Sequence, residues 1–432
     1  MVQKHVSSKI KIEDISLSIV VGVTFLIYSF SGSTNPISMY ISFAMLVLWA
    51  IVSILSNTKA FFKSITSKPM IFLYLHLLFL LMTAINIAGI LQSVKLMGMA
   101  LVVFSPLMIY DYYENFNIKK FKIILYASIS AMIIFGIKAL VFYSNHRDAA
   151  RRLATDETAF GDIAIGGGYQ FAFAATIFIV YLVELLINKV IIKKKNKVLV
   201  ILLIIFLFYL VLETKSTLTI ISLFFGIGLT ILNKNPVKVI NRKIIRTQKR
   251  GIRISRIFKI GLLIILTMII IFNIHDIGRF ILFNINGSDV VSQRLKEVGV
   301  VLANGLYESD YVVYRLDRPM FSMTKFIESP LIGQGYKYGY IYKDSLPYMG
   351  GHSEWLDALA NYGMIGAFPF FSIFFIFFRR VKKEIGMIIS TSYISTFILM
   401  GFLNPLVVFH TSFVVFLLIP IINKIIFKTI KC

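Results

Sequence analysis

His352 is the residue whose position best suits acid–base chemistry, because it joins a long polar segment to a hydrophobic span. Ser353 follows and can cap the amides of a helix that starts there, and Glu354 and Asp357 fall in its early turns, where acidic groups suit the helix dipole. The same dipole disfavours an imidazolium, and a neutral imidazole at this point can act as a general base toward a hydroxyl. The position equally suits a histidine that only caps or anchors a helix at an interface.

The face of this helix carries further information. In a regular helix, His352 shares one side with Trp355, Gly363 and Gly366. Small residues allow close helix packing, so we expect this side to contact other helices rather than lipid.

Two arginines lie upstream, in Tyr314-Arg315-Leu316-Asp317-Arg318-Pro319. Guanidinium groups bind phosphate oxygens in a bidentate manner, which makes a lipid-linked diphosphate the natural ligand for them beside a membrane. The alternative is that each arginine pairs with a nearby carboxylate such as Asp317 or Glu328. Pro330-Leu331-Ile332-Gly333-Gln334-Gly335 and Tyr336 follow this pair.

The chain that carries these residues is a polytopic membrane protein. Hydrophobic residues make up 57% of it, and its apolar runs are close to the roughly 20 residues that cross a bilayer as a helix. We therefore predict an all-α fold with about twelve transmembrane helices and a large outward-facing loop before the tenth. The predicted spans are 15–31, 37–55, 70–88, 94–110, 122–143, 167–187, 197–213, 216–232, 258–274, 355–378, 385–403 and 406–427.

The charge pattern sets the predicted orientation. A net charge of +24 would suggest nucleic acid in a soluble protein, but most of the 45 Lys and Arg residues fall in alternate connections. The clearest is the connection 234–257, whose Lys and Arg residues have no acidic residue among them. We expect these connections and both termini in the cytoplasm, near anionic lipid, and we expect no nucleic acid partner.

Two segments on the opposite face, 144–166 and 275–354, mix both charges and hold most of the polar residues. We expect the second to form helices, and we expect function to face outward. Residues 1–432 are interpreted as a single transmembrane domain that includes these loops.

Several kinds of chemistry have no support in the sequence. Cys432 is the only cysteine, the histidines are dispersed, and the chain has no phosphate-binding loop and no paired-aspartate motif for a nucleotide sugar. We predict no metal and no cofactor. Three charged residues lie inside predicted spans: Lys95, Lys138 and Glu184. We expect them to face the bundle interior. Glu184 could pair with one of the lysines there, or it could lie near the cytoplasmic rim.

The order of these motifs resembles the O-antigen ligase and polymerase superfamily of bacterial membrane glycosyltransferases. The detailed similarity covers residues 315–366: an arginine, the Pro-Leu-Ile-Gly-Gln-Gly turn, then a histidine that opens a His-polar-x-x-Leu-x-x-Leu-x-x-x-Gly-x-x-Gly helix. The resemblance implies transfer of a glycan from undecaprenyl diphosphate to an acceptor hydroxyl at the outer face of the plasma membrane, without metal or nucleotide. It implies that His352 is the base and that Arg315 contacts the diphosphate.

The resemblance also suggests residues that bind the donor. The family has an arginine after a serine at the start of a middle span. This chain departs from that pattern, because it has Lys215 at the corresponding junction. A lysine supplies a point charge without the two-pronged hydrogen bonding of a guanidinium group. Lys215 could equally be a lysine that extends to the interface. The other residues expected to contact substrate are Arg318, Arg147, Arg151, Arg152 and Tyr336.

Within the superfamily we favour a polymerase of repeat units over a ligase that transfers finished polymer, because Lys215 and the loosely matched first half suit the more divergent polymerase branch. The expected location is the bacterial inner membrane, and the expected partners are a chain-length regulator and a flippase besides the lipid-linked glycan. A non-catalytic flippase or transporter of such glycans is the chemically different alternative. A small-anion transporter is less favoured, since no inverted repeat is evident.

Overall fold

The computed structural model describes residues 12–29, 36–114, 116, 118–145, 168–190, 194–233, 237–240, 243–246, 273–285, 287, 290–305, 308–335, 351, 353–385 and 391–431. The helices before the basic connection are α1 Ile12–Ser29, α2 Pro36–Ile65, α3 Lys68–Tyr113, α4 Ile118–Asn145, α5 Gly168–Ile187, α6 Lys194–Glu213 and α7 Thr217–Leu232. Strands β1 Val237–Ile240 and β2 Lys243–Arg246 follow. The remaining elements are α8 Ile274–Asn284, α9 Val290–Asn304, α10 Asp310–Glu328, α11 Glu354–Ile385, α12 Thr391–Leu403, α13 Phe409–Phe413, a π-helical turn Val414–Leu418 and α14 Ile419–Lys431.

The described part of the chain is a helical bundle, as predicted. The only strands in these ranges, β1 and β2, form a small antiparallel hairpin within the basic connection. Among the described residues, seven helical stretches are long and apolar enough to cross a membrane, so the molecule is a polytopic membrane protein. They are Ile41–Ile65, Gly89–Tyr113, Ile118–Ser144, Gln170–Ile187, Lys195–Glu213, Glu354–Lys382 and Phe409–Ile426.

The predicted number of twelve spans is not confirmed. Three of the predicted spans are shorter apolar helices, Lys68–Thr83, Thr217–Leu232 and Thr391–Leu403. The first predicted span is helix α1, and most of the ninth, 258–274, lies outside the described residues. Hydropathy registers apolar length alone, so it does not separate a full crossing from a shorter buried helix.

Kinks divide several of the long helices. The third and fourth predicted spans form one element, α3, whose direction changes at Gly89 with φ of 77°. Helix α11 is interrupted in the same way at Gly363, with φ of 58°. The regular helical face predicted from His352 to Gly366 is therefore wrong beyond this point, although Gly366 does pack closely, against the ring of Phe79.

Helix α5 lies at the centre of the bundle. Every residue from Phe171 to Leu182 is buried, and the π-helical turn Val414–Leu418 is fully buried beside it. The phenol of Tyr181 donates a hydrogen bond of 2.6 Å to Asn423 Oδ1, which joins α5 to α14. The central helix is therefore held by both apolar packing and an internal polar contact.

The carboxylate of Glu184 is buried against the start of another helix. It faces the backbone amides of Thr391, Ser392 and Tyr393, at the first turn of α12, while its Oε2 has no hydrogen-bond partner among the described residues. Helix N-termini have free amides and favour negative charge, so Glu184 caps this helix. Lys138 is instead exposed, with its ammonium 5.1 Å from the ring centre of Phe135.

Ion pairs connect several helix ends at one end of the bundle. Arg380 on α11 donates to Asp111 and to Glu114, and Lys424 on α14 donates to Glu114 over 2.8 Å. Burial alone would raise the pKa of Glu114, but the hydrogen bond from Lys424 and the charges of Arg380, Lys424 and Lys63 lower it below its ordinary value. These ion pairs join the ends of α3, α11 and α14, which the charge pattern of the sequence predicts to lie at the cytoplasmic face.

Most described residues of segment 275–354 form helices, as expected, and the rest are turns and short connections. Helices α8 and α9 pack as a hairpin, in which a Cβ on Gly278 would lie 2.4 Å from the backbone nitrogen of Ala303. Helix α10 packs against α11. Segment 144–166 lies almost entirely outside the described residues, so its predicted role stays a prediction.

Candidate functional site

The start of α11 is capped as the sequence predicts. Ser353 is buried, and its Oγ accepts a hydrogen bond of 3.3 Å from the backbone amide of Leu356. Helix α12 contributes as well, because the indole of Trp355 donates to the carbonyl of Ile398 over 2.8 Å. The segment directly after His352 is therefore fixed in the bundle rather than free at its surface.

Glu354 has a tertiary role that its place in the first turn of α11 did not reveal. Its Oε2 accepts hydrogen bonds from the amides of Leu406 and Val407, at 2.8 and 3.0 Å. The backbone amide of Glu354 donates in turn to the carbonyl of Asn404. These three bonds join the start of α11 to the connection before α13.

Asp357 joins the start of α11 to two other parts of the site. Its side chain is buried, Oδ2 accepts a 3.0 Å hydrogen bond from the amide of Gly351, and Oδ1 accepts one of 2.5 Å from the hydroxyl of Ser322. Gly351 is the residue immediately before His352. Asp357 thus fixes the backbone on the amino side of His352 and bonds it to α10.

Helix α10 carries Arg315 and Arg318 on the side that holds Ser322. At about 100° per residue, the three positions lie within about 60° of one another around the helix axis. Arg315 is exposed and Arg318 is half-buried. Seven residues separate Arg315 from Ser322, a rise of roughly 10 Å. Arg315 and Arg318 therefore lie on the same face of α10 as Ser322, whose hydroxyl bonds to Asp357.

The Pro-Leu-Ile-Gly-Gln-Gly segment lies across the kink in α11. The amides of Gln334 and Gly335 donate to the carbonyls of Ala360 and Asn361, at 2.8 and 2.9 Å. In the other direction, the amides of Met364 and Ile365 donate to the carbonyls of Pro330 and Leu331, at 2.8 and 3.0 Å. A kink leaves backbone groups without intrahelical partners, and here segment 330–335 supplies those partners.

These backbone hydrogen bonds bring segment 330–335 and the kink of α11 so close together that each has a glycine at the point of contact. A Cβ on Gly333 would lie 2.4 Å from the carbonyl oxygen of Asn361, and a Cβ on Gly363 would lie 2.4 Å from the amide nitrogen of Gly333. Both residues also have positive φ, 71° and 58°. The glycines are therefore needed for backbone-to-backbone contact, which places the end of α10 against the middle of α11.

The remaining predicted site residues are not brought to this point by described contacts. Lys215 lies half-buried in the turn between α6 and α7, with φ of 51°. The others, His352, Tyr336, Arg147, Arg151 and Arg152, lie outside the described residues. Within the described ranges, no group of three or more His, Cys, Asp and Glu side chains could hold a metal ion.

Ser322 and the tertiary roles of Asp357 and Glu354 were not predicted from the sequence. A signal for Ser322 was present, because it follows Arg315 by seven residues and so lies on the same helical face. No comparable signal pointed to the bond between Ser322 and Asp357, which joins residues 35 positions apart.

No protein-family model matches the chain, and a search of curated proteins finds no similar sequence. The resemblance to the O-antigen ligase and polymerase superfamily therefore stays an expectation from the motifs between residues 315 and 366.

Proposed function

We propose that this protein is a polymerase of lipid-linked oligosaccharide repeat units at the outer face of a bacterial inner membrane. It transfers a glycan from undecaprenyl diphosphate to a sugar hydroxyl of an acceptor, as an inverting glycosyltransferase without metal. The products are polysaccharides of the O-antigen, capsular or exopolysaccharide kind.

One observation carries the proposal: the bonds of Asp357 to Ser322 and to the amide of Gly351. They join a cationic helix face to the backbone beside a histidine. Transfer from a diphosphate-linked donor needs a cationic group for the leaving diphosphate and a base for the attacking hydroxyl. The described bonds fix the backbone of Gly351 relative to α10, and preorganisation of this kind is what such catalysis depends on.

In the proposed reaction, His352 accepts the proton of the acceptor hydroxyl as its oxygen attacks the anomeric carbon of the donor sugar. A new glycosidic C–O bond forms, the bond from the anomeric carbon to the diphosphate oxygen breaks, and the configuration inverts. Arg315 binds the departing diphosphate, with Arg318 and Lys215 in support. Asp357 acts as a positioning residue that fixes the backbone before the base.

A ligase that transfers finished polymer to a lipid core or a protein would use the same groups, and only the acceptor would differ. A flippase of lipid-linked glycans would use the cationic face without a base. Loss of His352 therefore separates transfer from transport, since a flippase needs the arginines alone.

The test is an assay of the purified protein with a synthetic undecaprenyl-diphosphate repeat unit, with products separated by gel mobility. The wild type should produce a ladder of longer chains, and His352→Ala and Arg315→Ala should each abolish it. The matched control is Arg279→Ala, which removes an exposed arginine of the same outer segment on α8 and should leave the ladder unchanged.

Three results would contradict parts of the proposal. A wild-type protein that forms no ladder from its cognate repeat unit is not a polymerase. Full activity in His352→Ala would exclude this histidine as the base. Equal losses in Arg315→Ala and Arg279→Ala would show a general charge effect rather than a diphosphate contact on α10.

A further inference from the structure

A lateral groove between α11 and α12 runs from Trp355, near the start of α11, to Lys382 near its other end. It has a volume of about 690 Å³, within the range of roughly 300–1,000 Å³ that is common for ligand pockets. Its walls are mostly aromatic and aliphatic, and include Trp355, Phe371, Phe375 and Ile398. The side chains of Phe375 and Ile398 are 66% and 44% exposed, so the groove opens toward the surroundings of the bundle.

The described charge of the groove lies at one end. Arg379 and Lys382 contribute to its lining with exposed side chains, and no other charged residue is found among the described residues that line it. Arg380 lies between them in sequence but points into the bundle, where it pairs with Asp111 and Glu114. The two basic residues of the groove are therefore directed away from that internal ion-pair cluster.

The apolar and basic residues follow one stripe of α11. Phe371, Phe375, Arg379 and Lys382 are spaced by four, four and three residues, which places them along one side of a helix. The rise from Phe371 to Lys382 is roughly 16 Å. Half of a bilayer's hydrocarbon core is about 15 Å, so the whole stripe from Phe371 to Lys382 has about the depth of one leaflet, with its basic residues at one end.

We propose that this groove binds one anionic glycerophospholipid. Its phosphate contacts Arg379 and Lys382, and one acyl chain lies along Phe375 and Phe371. Two cations without a carboxylate in the lining favour an anionic headgroup over a zwitterionic one. The site is independent of the proposed transferase reaction, and a lipid held there would fix the spacing between α11 and α12.

The test is native mass spectrometry of the full-length protein in detergent, titrated with palmitoyl-oleoyl phosphatidylglycerol and, separately, with the matching phosphatidylcholine. The wild type should bind one phosphatidylglycerol in preference to phosphatidylcholine. The double variant Arg379→Gln/Lys382→Gln should bind it about 30-fold more weakly, because each basic residue near an anionic headgroup is worth about 1 kcal/mol and each 1.4 kcal/mol is tenfold in affinity.

A second variant tests the apolar part without removing charge. Ser395 lines the groove from α12, and Ser395→Phe should fill the space for the acyl chain and reduce binding of phosphatidylglycerol by a similar factor. The matched control is Lys195→Gln/Lys197→Gln, which removes two exposed lysines at the start of α6 and should bind as the wild type does. Melting temperature and gel filtration identify any variant that is unfolded, and either test variant decides the question alone.

Several outcomes would overturn the proposal. Equal binding of the two lipids by the wild type would exclude recognition of the anionic headgroup. Equal losses in the groove variant and the control would show a nonspecific charge effect. Unchanged binding of phosphatidylglycerol in either groove variant, shown to be folded, would place the lipid elsewhere.

Discussion

The substitution Gly333→Ala should be among the most damaging single changes near the candidate site. The new Cβ would lie 2.4 Å from the carbonyl oxygen of Asn361 and 2.5 Å from the amide nitrogen of Gly363, so backbone must move. Overpacking of this kind costs about 1–3 kcal/mol. A non-glycine residue at the positive φ of this position adds strain of about 1–3 kcal/mol. We therefore expect a loss of about 2–6 kcal/mol in the free energy of unfolding.

Gly305→Ala is the matched control for this experiment. Gly305 also has positive φ, 109°, but a Cβ there would have no atom within 4 Å. It should therefore show the backbone strain alone, about 1–3 kcal/mol. The difference between the two variants measures the close contact between segment 330–335 and the kink of α11.

Unfolding of the purified protein in micelles can be followed by fluorescence, because one of the two tryptophans, Trp355, lies on α11 before the kink. Hydrogen exchange gives a local measurement. In Gly333→Ala, hydrogen exchange should become faster at the amides that join the two segments, those of Gln334, Gly335, Met364 and Ile365. In Gly305→Ala their exchange rates should stay unchanged, because only the first substitution separates the two backbones. Equal destabilisation in the two variants, with no local change in exchange, would refute the assignment of the glycines to this backbone contact.

Three further predictions follow from the charged side chains. Asp357→Asn should lower the turnover number of the proposed transfer reaction with little change in folding, and an unchanged turnover number would remove its positioning role. Arg380→Met should destabilise the protein by about 3–5 kcal/mol, because it leaves the buried carboxylate of Asp111 without its cation; a thermal melt comparable to that of the wild type would contradict this. The pKa of Glu114 in the folded protein lies below its ordinary value of 4.5, so its ion pair with Lys424 stabilises the fold fully above about pH 4.5 and is lost as the pH falls through the lowered pKa. Melting temperature against pH should therefore fall less steeply on the acid side in Glu114→Gln, and parallel curves would disprove this contribution.

The sequence predicted the helical membrane fold because hydropathy and helix length depend on residues that are close together in the chain. Seven of the predicted spans are long apolar helices in the structure, and Ser353 caps α11 as its type and position indicated. The partner of Glu184 could not be predicted in the same way. A buried carboxylate needs compensation, but the sequence does not say that the amides of α12, some 200 residues later, supply it.

The candidate site shows the same division. The sequence by itself determined which residues can do chemistry: an imidazole before a helix, two guanidinium groups one turn apart, and a glycine-rich segment between them. Only the tertiary structure decided that Ser322 bonds to Asp357 and that segment 330–335 completes the kink at Gly363. The physical reason is that residue types and local periodicity fix helices and their caps, whereas the partners of a buried carboxylate or of broken-helix amides depend on which distant segments pack against them.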